Sequence, residues 1–282
     1  MTRIVLGKEM PDAQRISLPE FENPPVVETV LAVQFEKLTA MQTVHFGLFW
    51  RRMQARFPRT EERPALNPMF ERFPEPIARI PRMQFESIER PPLPRLWLHS
   101  ETGTEMIQMQ NDRFIKNWRK AGDRDEYPRY EGAIKPAFER DFSEFQSFLA
   151  EEKLGPITVN QCEVTYVNHI VSGEGWGSQG DIHRIFTFWK QGMSSVPGSP
   201  EDVALQMRFP IRGDRNEPIG RLHVDVQPAF RTTDDQPMYV MNLTARGQYG
   251  SGMDFFDIGR RWIVETFDRL TTPEMHRIWG KK

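Results

Sequence analysis

Between Leu93 and Arg119 the chain has to double back on itself, and this limits the fold more than any other stretch. Leu96 and Leu98 alternate with Trp97 and His99, so successive side chains point to opposite sides of a strand. After a Glu-Thr-Gly-Thr turn around Gly103, Met106, Gln108 and Gln110 fall on one face and Ile107 and Met109 on the other. The return strand is expected to run on through Arg113, Lys116, Asn117 and Trp118, trading apolar alternation for cations, an amide and an indole.

The same alternation recurs on both sides. Val26 to Glu36 reads as a strand with Val27, Thr29, Leu31, Val33 and Phe35 on one face. Ile157 to Val171 is a longer one. Val203–Ile211, Gly220–Thr232 and Pro237–Gly247 follow with short connections, the mark of an antiparallel meander. Helical spacing appears from Thr39 to about Phe57, carried by Met41, Val44, Leu48 and Phe49. It returns from Tyr130 to Leu154, where Ile134, Phe138, Phe142, Phe145, Phe148 and Leu149 form a stripe closed by Gly155-Pro156. A third helix is expected from about Asp254 to Leu270, then a short one capped by Thr272 with Pro273 at its first position. Residues 181–190 fit a short helix or strand. Prolines crowd residues 64–94, which predicts an irregular excursion with one short strand, Arg82 to Ser87.

This order predicts an α+β fold: a mainly antiparallel sheet backed by three main helices. Residues 1–25 form an extended entry segment, followed by an N-terminal half over 26–155 and a C-terminal half over 156–282. The halves are read as two intertwined subdomains meeting near Gly155-Pro156. A single helix-grip sheet around the C-terminal helix is the alternative. No repeat at a fixed period is visible.

With 282 residues, 38% of them hydrophobic, the chain can bury a core without metal or disulfide support. Its 37 basic and 39 acidic residues argue against nucleic-acid binding by the whole surface and leave room for a local basic patch. The single cysteine, Cys162, excludes an intramolecular disulfide and a cysteine-based zinc site. No apolar run suggests a signal peptide or membrane span, so a cytoplasmic protein is expected.

No nucleotide-binding glycine loop, nucleophile elbow or zinc-protease motif is present, and no cofactor is expected. Asp181 and His183, and His223 and Asp225, each set an imidazole and a carboxylate two residues apart. On strands that spacing shares a face, so these four are candidate metal ligands for an enzyme. The block from 110 to 131 is better placed. Arg113, Lys116, Asn117, Trp118 and Tyr130 combine cations, an amide and aromatic rings in the manner that suits an anion.

Several blocks resemble an uncharacterised, sporadically distributed bacterial protein family. They are Asn-Pro-Pro-Val-Val-Glu-Thr-Val-Leu (23–31), Gln-Asn-Asp-Arg-Phe-Ile-Lys-Asn-Trp-Arg-Lys (110–120), Tyr-Pro-Arg-Tyr-Glu (127–131) and Glu-Val-Thr-Tyr-Val-Asn-His-Ile (163–170). Asn-Leu-Thr-Ala-Arg-Gly (242–247) and Thr-Thr-Pro-Glu-Met-His-Arg-Ile-Trp-Gly (271–280) complete the set. The resemblance implies a bacterial cytoplasmic protein and supplies no catalytic residue. The functional expectation is a non-enzymatic binding protein for a protein partner or a small anionic ligand. The alternatives are a metal-dependent enzyme using the His/Asp pairs and a nucleic-acid binder acting through the Arg113–Lys120 edge.

Overall fold

The computed structural model describes residues 17–73, 93–190, 200–248, 250 and 252–282. The strand expected at Arg82–Ser87 and most of the connector before Pro200 lie outside them. Among the described residues nine strands build one antiparallel sheet: β1 (Val26–Phe35), β2 (Arg59–Arg63), β3 (Arg95–His99), β4 (Glu105–Gln110), β5 (Arg113–Arg119), β6 (Val159–Val171), β7 (Leu205–Arg212), β8 (Pro218–Phe230) and β9 (Pro237–Gly247). Their spatial order is β2-β3-β4-β5-β1-β6-β9-β8-β7. The helices are α1 (Thr43–Met53), α2 (Lys135–Glu151), the single-turn α3 (Ile182–Ile185), α4 (Phe255–Leu270) and α5 (Pro273–Ile278).

The topology is duplicated. A strand, a helix, a meander and a second helix occur twice, and the strand orders mirror each other about the pairing of β1 with β6. At this seam Leu31 lies opposite Val164 and Val33 opposite Cys162. The duplication is topological; it leaves no residue-by-residue period in the sequence.

Alternation gives the sheet two unlike faces. Thr29, Leu31, Val33 and Phe35 of β1 are all buried on the face that the helices cover. There Phe114 of β5 stacks on Phe145 of α2 at 5.2 Å between ring centres, and Phe49 of α1 meets Phe145 edge-on at 5.4 Å. Each buried phenylalanine contributes about 1.5–3 kcal/mol by leaving water. α4 covers β6, β8 and β9. It comes in close because it presents Gly259, where an added Cβ would sit 3.1 Å from that of Ala245. Three helices thus share the covered face, α1 and α2 over the N-terminal half and α4 over the C-terminal half.

Three local expectations change. The return strand of the central hairpin does not run on to Arg119. It ends at Gln110, turns at Asn111-Asp112 and folds back as β5, which then pairs with β1. Asn and Asp favour turns because their side chains hydrogen-bond nearby backbone, a signal that alternation of apolar residues hides. α1 begins at Thr43 rather than Thr39 and buries Phe46, Phe49 and Met53, leaving Val44 and Leu48 on its outer side. The long helix opens with a π-helical turn over Tyr130–Ile134 before α2 proper.

Candidate functional site

The turn at Asn111-Asp112 decides where the candidate binding residues lie. β5 is an interior strand, so its residues divide between the two faces instead of lining an exposed edge. Lys116 and Trp118 point to the helices; Arg113 and Asn117 point the other way. Lys116 is only 4% exposed. Its ammonium donates to Asp141 of α2 at 2.7 Å and to Glu105, and lies 4.6 Å from the ring centre of Phe57. Burial alone would raise the Asp141 carboxyl, but Lys116, with bonds from Arg56 and Arg140, holds it below its ordinary value. Lys116 therefore neutralises a buried carboxylate. Trp118 packs edge-on against Tyr127, and Asn117 is held by Gln108 at 2.8 Å and Glu28 at 2.6 Å. The five candidates do not form one surface.

The helix-free face carries a strap that sequence reasoning does not reveal. After β2, residues 64–73 cross this face, held largely by side chains of the strands beneath. Gln110 accepts from the Leu66 amide at 2.9 Å and donates to its carbonyl at 3.2 Å. Gln34 accepts from the Met69 amide at 3.2 Å. Gln161 accepts from the Glu71 amide at 3.0 Å and donates to the Met69 carbonyl at 2.6 Å. Arg113 donates to Gln34 at 2.7 Å and to the Asn67 carbonyl at 3.1 Å. The strap ends in an ionic anchor, where Glu71 is bound by Arg221 and by His223 at 2.6 Å, with Arg246 at 3.3 Å. Burial would raise the Glu71 carboxyl, but the His223 bond and the charges of Arg221 and Arg246 hold it below its ordinary value. Beneath the strap lies a cavity of about 300 Å3, between Leu66, Met69, Ala32, Ile115, Arg113 and Arg246.

Tyr130 leads to a second cavity, of about 260 Å3, on the helix-covered face. Phe21 and Pro24 of the entry segment, Tyr127, Arg129, Tyr130 and Glu131, Tyr166 of β6, and Arg260 and Phe267 of α4 enclose it. Three features mark it. Arg129 has φ 69° and ψ 144°, a backbone region that residues with a Cβ rarely occupy and that costs about 1–3 kcal/mol. It is held there by bonds from its guanidinium to the carbonyls of Phe21 at 2.8 Å and Glu22 at 3.2 Å, and no carboxylate pairs with it among the described residues. Next, the π-helical turn follows at once and places the Tyr130 ring beneath the Arg260 guanidinium, 4.8 Å away. Lastly, Arg260 donates to the largely exposed Glu131 at 3.0 Å, while its buried Nε has no hydrogen-bond partner.

The phenols of this pocket are neutral donors. Tyr127 and Tyr166 share a hydrogen bond of 2.8 Å, and Tyr130 donates to Asp257 at 3.2 Å. Burial pushes all three hydroxyls above their ordinary range. The signal for Tyr127 and Tyr130 lies in the Tyr-Pro-Arg-Tyr block. Nothing in the sequence connects Arg129 with Arg260, near the other end of the chain.

The candidate metal ligands are not brought together. Asp181 and His183 stand on a short helical turn, not a strand, so their two-residue spacing puts them on different sides. The Asp181 carboxylate accepts from the Ser178 and Gly177 amides, which hold it below its ordinary value. His223 and Asp225 do share the helix-free face of β8, but the first binds Glu71 and the second is bonded by Gln206 and Gln227. Among the described residues no group of three or more His, Cys, Asp or Glu side chains could hold a metal ion, and no helix is long and apolar enough to cross a membrane. Burial raises the Cys162 thiol, which makes it a poor nucleophile. Searched against family models, curated proteins and solved structures, the chain matches none.

Proposed function

We propose that this chain is a binding protein, not an enzyme, and that it holds a small anionic ligand with an aromatic or apolar body in the cavity between Tyr127, Tyr130, Tyr166 and α4. The observation that carries the reading is the pairing of two guanidiniums, Arg129 and Arg260, with three neutral phenols around one cavity. Arg129 is bonded only to carbonyls, and the Glu131 partner of Arg260 is exposed enough to water to yield to a ligand. An arginine fork suits a carboxylate or phosphate, and the walls of Phe21, Ile263 and Phe267 suit rings or chains. The phenols are poor acid–base groups near neutrality because burial holds their protons.

Calorimetric titration with 4-hydroxybenzoate and phenyl phosphate tests it. The parent protein is expected to bind at least one saturably, and Arg260→Gln to weaken that binding about tenfold or more, as loss of a charge-assisted bond does. Absence of saturable binding to either probe, or equal affinity in the variant, would rule the reading out.

A further inference from the structure

We propose that the cavity beneath the strap is a second, independent binding site, for a small carboxylate carrying a short apolar chain, with Arg113 as its anion receptor. The argument starts from an imbalance. Arg113 is turned onto the helix-free face and partly buried under residues 66–69. Its two bonds go to neutral acceptors, the Gln34 side chain and the Asn67 carbonyl, and its buried Nε has no partner. No carboxylate pairs with it among the described residues. The charges of Asp112 and Glu163 lie near enough to favour its cation, but neither carboxylate bonds it: Asp112 accepts from Gln110 at 3.3 Å, Glu163 is bound by Arg246 at 2.6 Å, and Glu71 is held by Arg221 and His223. A cation taken out of water and bonded only to neutral groups favours any anion that can reach it.

The cavity is the space such an anion would need. Its volume of about 300 Å3 is at the lower end of ligand sites, enough for a short-chain acid and too little for a nucleotide. Ala32 and Ile115 form its floor, and Leu66 and Met69 line its strap side, which suits a short apolar chain attached to the carboxylate, with Gln34 and Gln161 at the polar end. Among the described residues the strap leaves the cavity open. Gln34, Gln110 and Gln161 hold the strap by its backbone, so none of these bonds uses the Leu66 or Met69 side chain, and both residues line the cavity. The site shares no residue with the aromatic cavity, so either can fail without the other.

The test is calorimetric titration with acetate, butyrate and 3-methylbutanoate, and with 3-methylbutanamide as the uncharged control. Affinity should rise about fourfold for each methylene buried, and the amide should not bind. Arg113→Gln should weaken 3-methylbutanoate about tenfold or more. Ala32→Leu, which fills the floor and leaves every charge in place, should abolish binding without lowering the melting temperature much. Arg260→Gln should leave this binding unchanged. Three results would overturn the proposal: no saturable binding of any acid tighter than about 1 mM, equal binding of acid and amide, or full retention in Arg113→Gln.

Discussion

The two faces of the sheet solve the same problem by opposite means. On one face α1, α2 and α4 lay aromatic and aliphatic side chains over the strands, and the buried cation there, Lys116, is matched by a carboxylate that no water reaches. On the other a thin strap is held by three glutamines and an arginine, largely through backbone atoms, and closes on Glu71. Apolar burial is non-directional and cumulative, so the helix face sets the stability of the whole sheet. Amide hydrogen bonds to a backbone are directional and nearly exchangeable with water, so the strap face sets which groups can approach. β5 joins both in seven residues, with Phe114 and Lys116 on one side and Arg113 and Asn117 on the other.

Substitutions should separate the two. Phe145→Ala, which removes the ring shared by Phe35, Phe49 and Phe114, is expected to cost about 3–5 kcal/mol in chemical denaturation; an unchanged midpoint would mean the helix face does not dominate. Lys116→Met comes next, at about 3 kcal/mol, because it strips Asp141 of its buried cation and leaves Arg56 and Arg140 at its rim. Recovery of that loss in Lys116→Met/Asp141→Leu would tie the cost to the uncompensated charge.

On the other face, Gln161→Ala should cost about 1–2 kcal/mol locally. Hydrogen exchange at the Glu71 amide, which loses its acceptor, should quicken while the global melting temperature barely moves. A matching global loss would show that the strap is part of the cooperative core. The smallest effect concerns pH. Burial lowers the imidazoles of His99, His169 and His276, so folding favours their neutral forms. Their contribution is present above the ordinary histidine range and is lost as pH falls through it, so the melting temperature should decline from about pH 7 to about pH 5. His169→Gln should flatten part of that decline; an identical slope would remove His169 from the account.

Legibility in the sequence follows the same division. The covered face is readable because burial imposes a period: two in β1 and β6, and the three-or-four-residue step of a helix from Phe138 through Phe142 and Phe145 to Leu149. The α+β class follows from that. The strap is not readable, since Gln34, Gln110 and Gln161 look like any polar outward residue until a backbone is laid across them. Lys116 misleads for a related reason. A lysine among Asn, Trp and Arg reads as surface, and only the turn at Asn111-Asp112 brings it under Asp141, 25 residues away. Arg129 and Arg260 come to one cavity through the tertiary packing of α4 and the entry segment, which no local pattern encodes.

The seam between β1 and β6 has a consequence for synthesis. β1 gains its first neighbour, β5, by residue 119, but its other border stays bare until β6 is complete at Val171. Ten residues of unpaired backbone amides and carbonyls, on a strand rich in valine, are therefore open to any nascent chain nearby while about fifty more residues are added. At ribosomal speeds of about 5–20 residues per second, that window lasts several seconds. Truncations that end between Arg119 and Val159 should accordingly associate through this border, whereas the full chain closes it with its own second half.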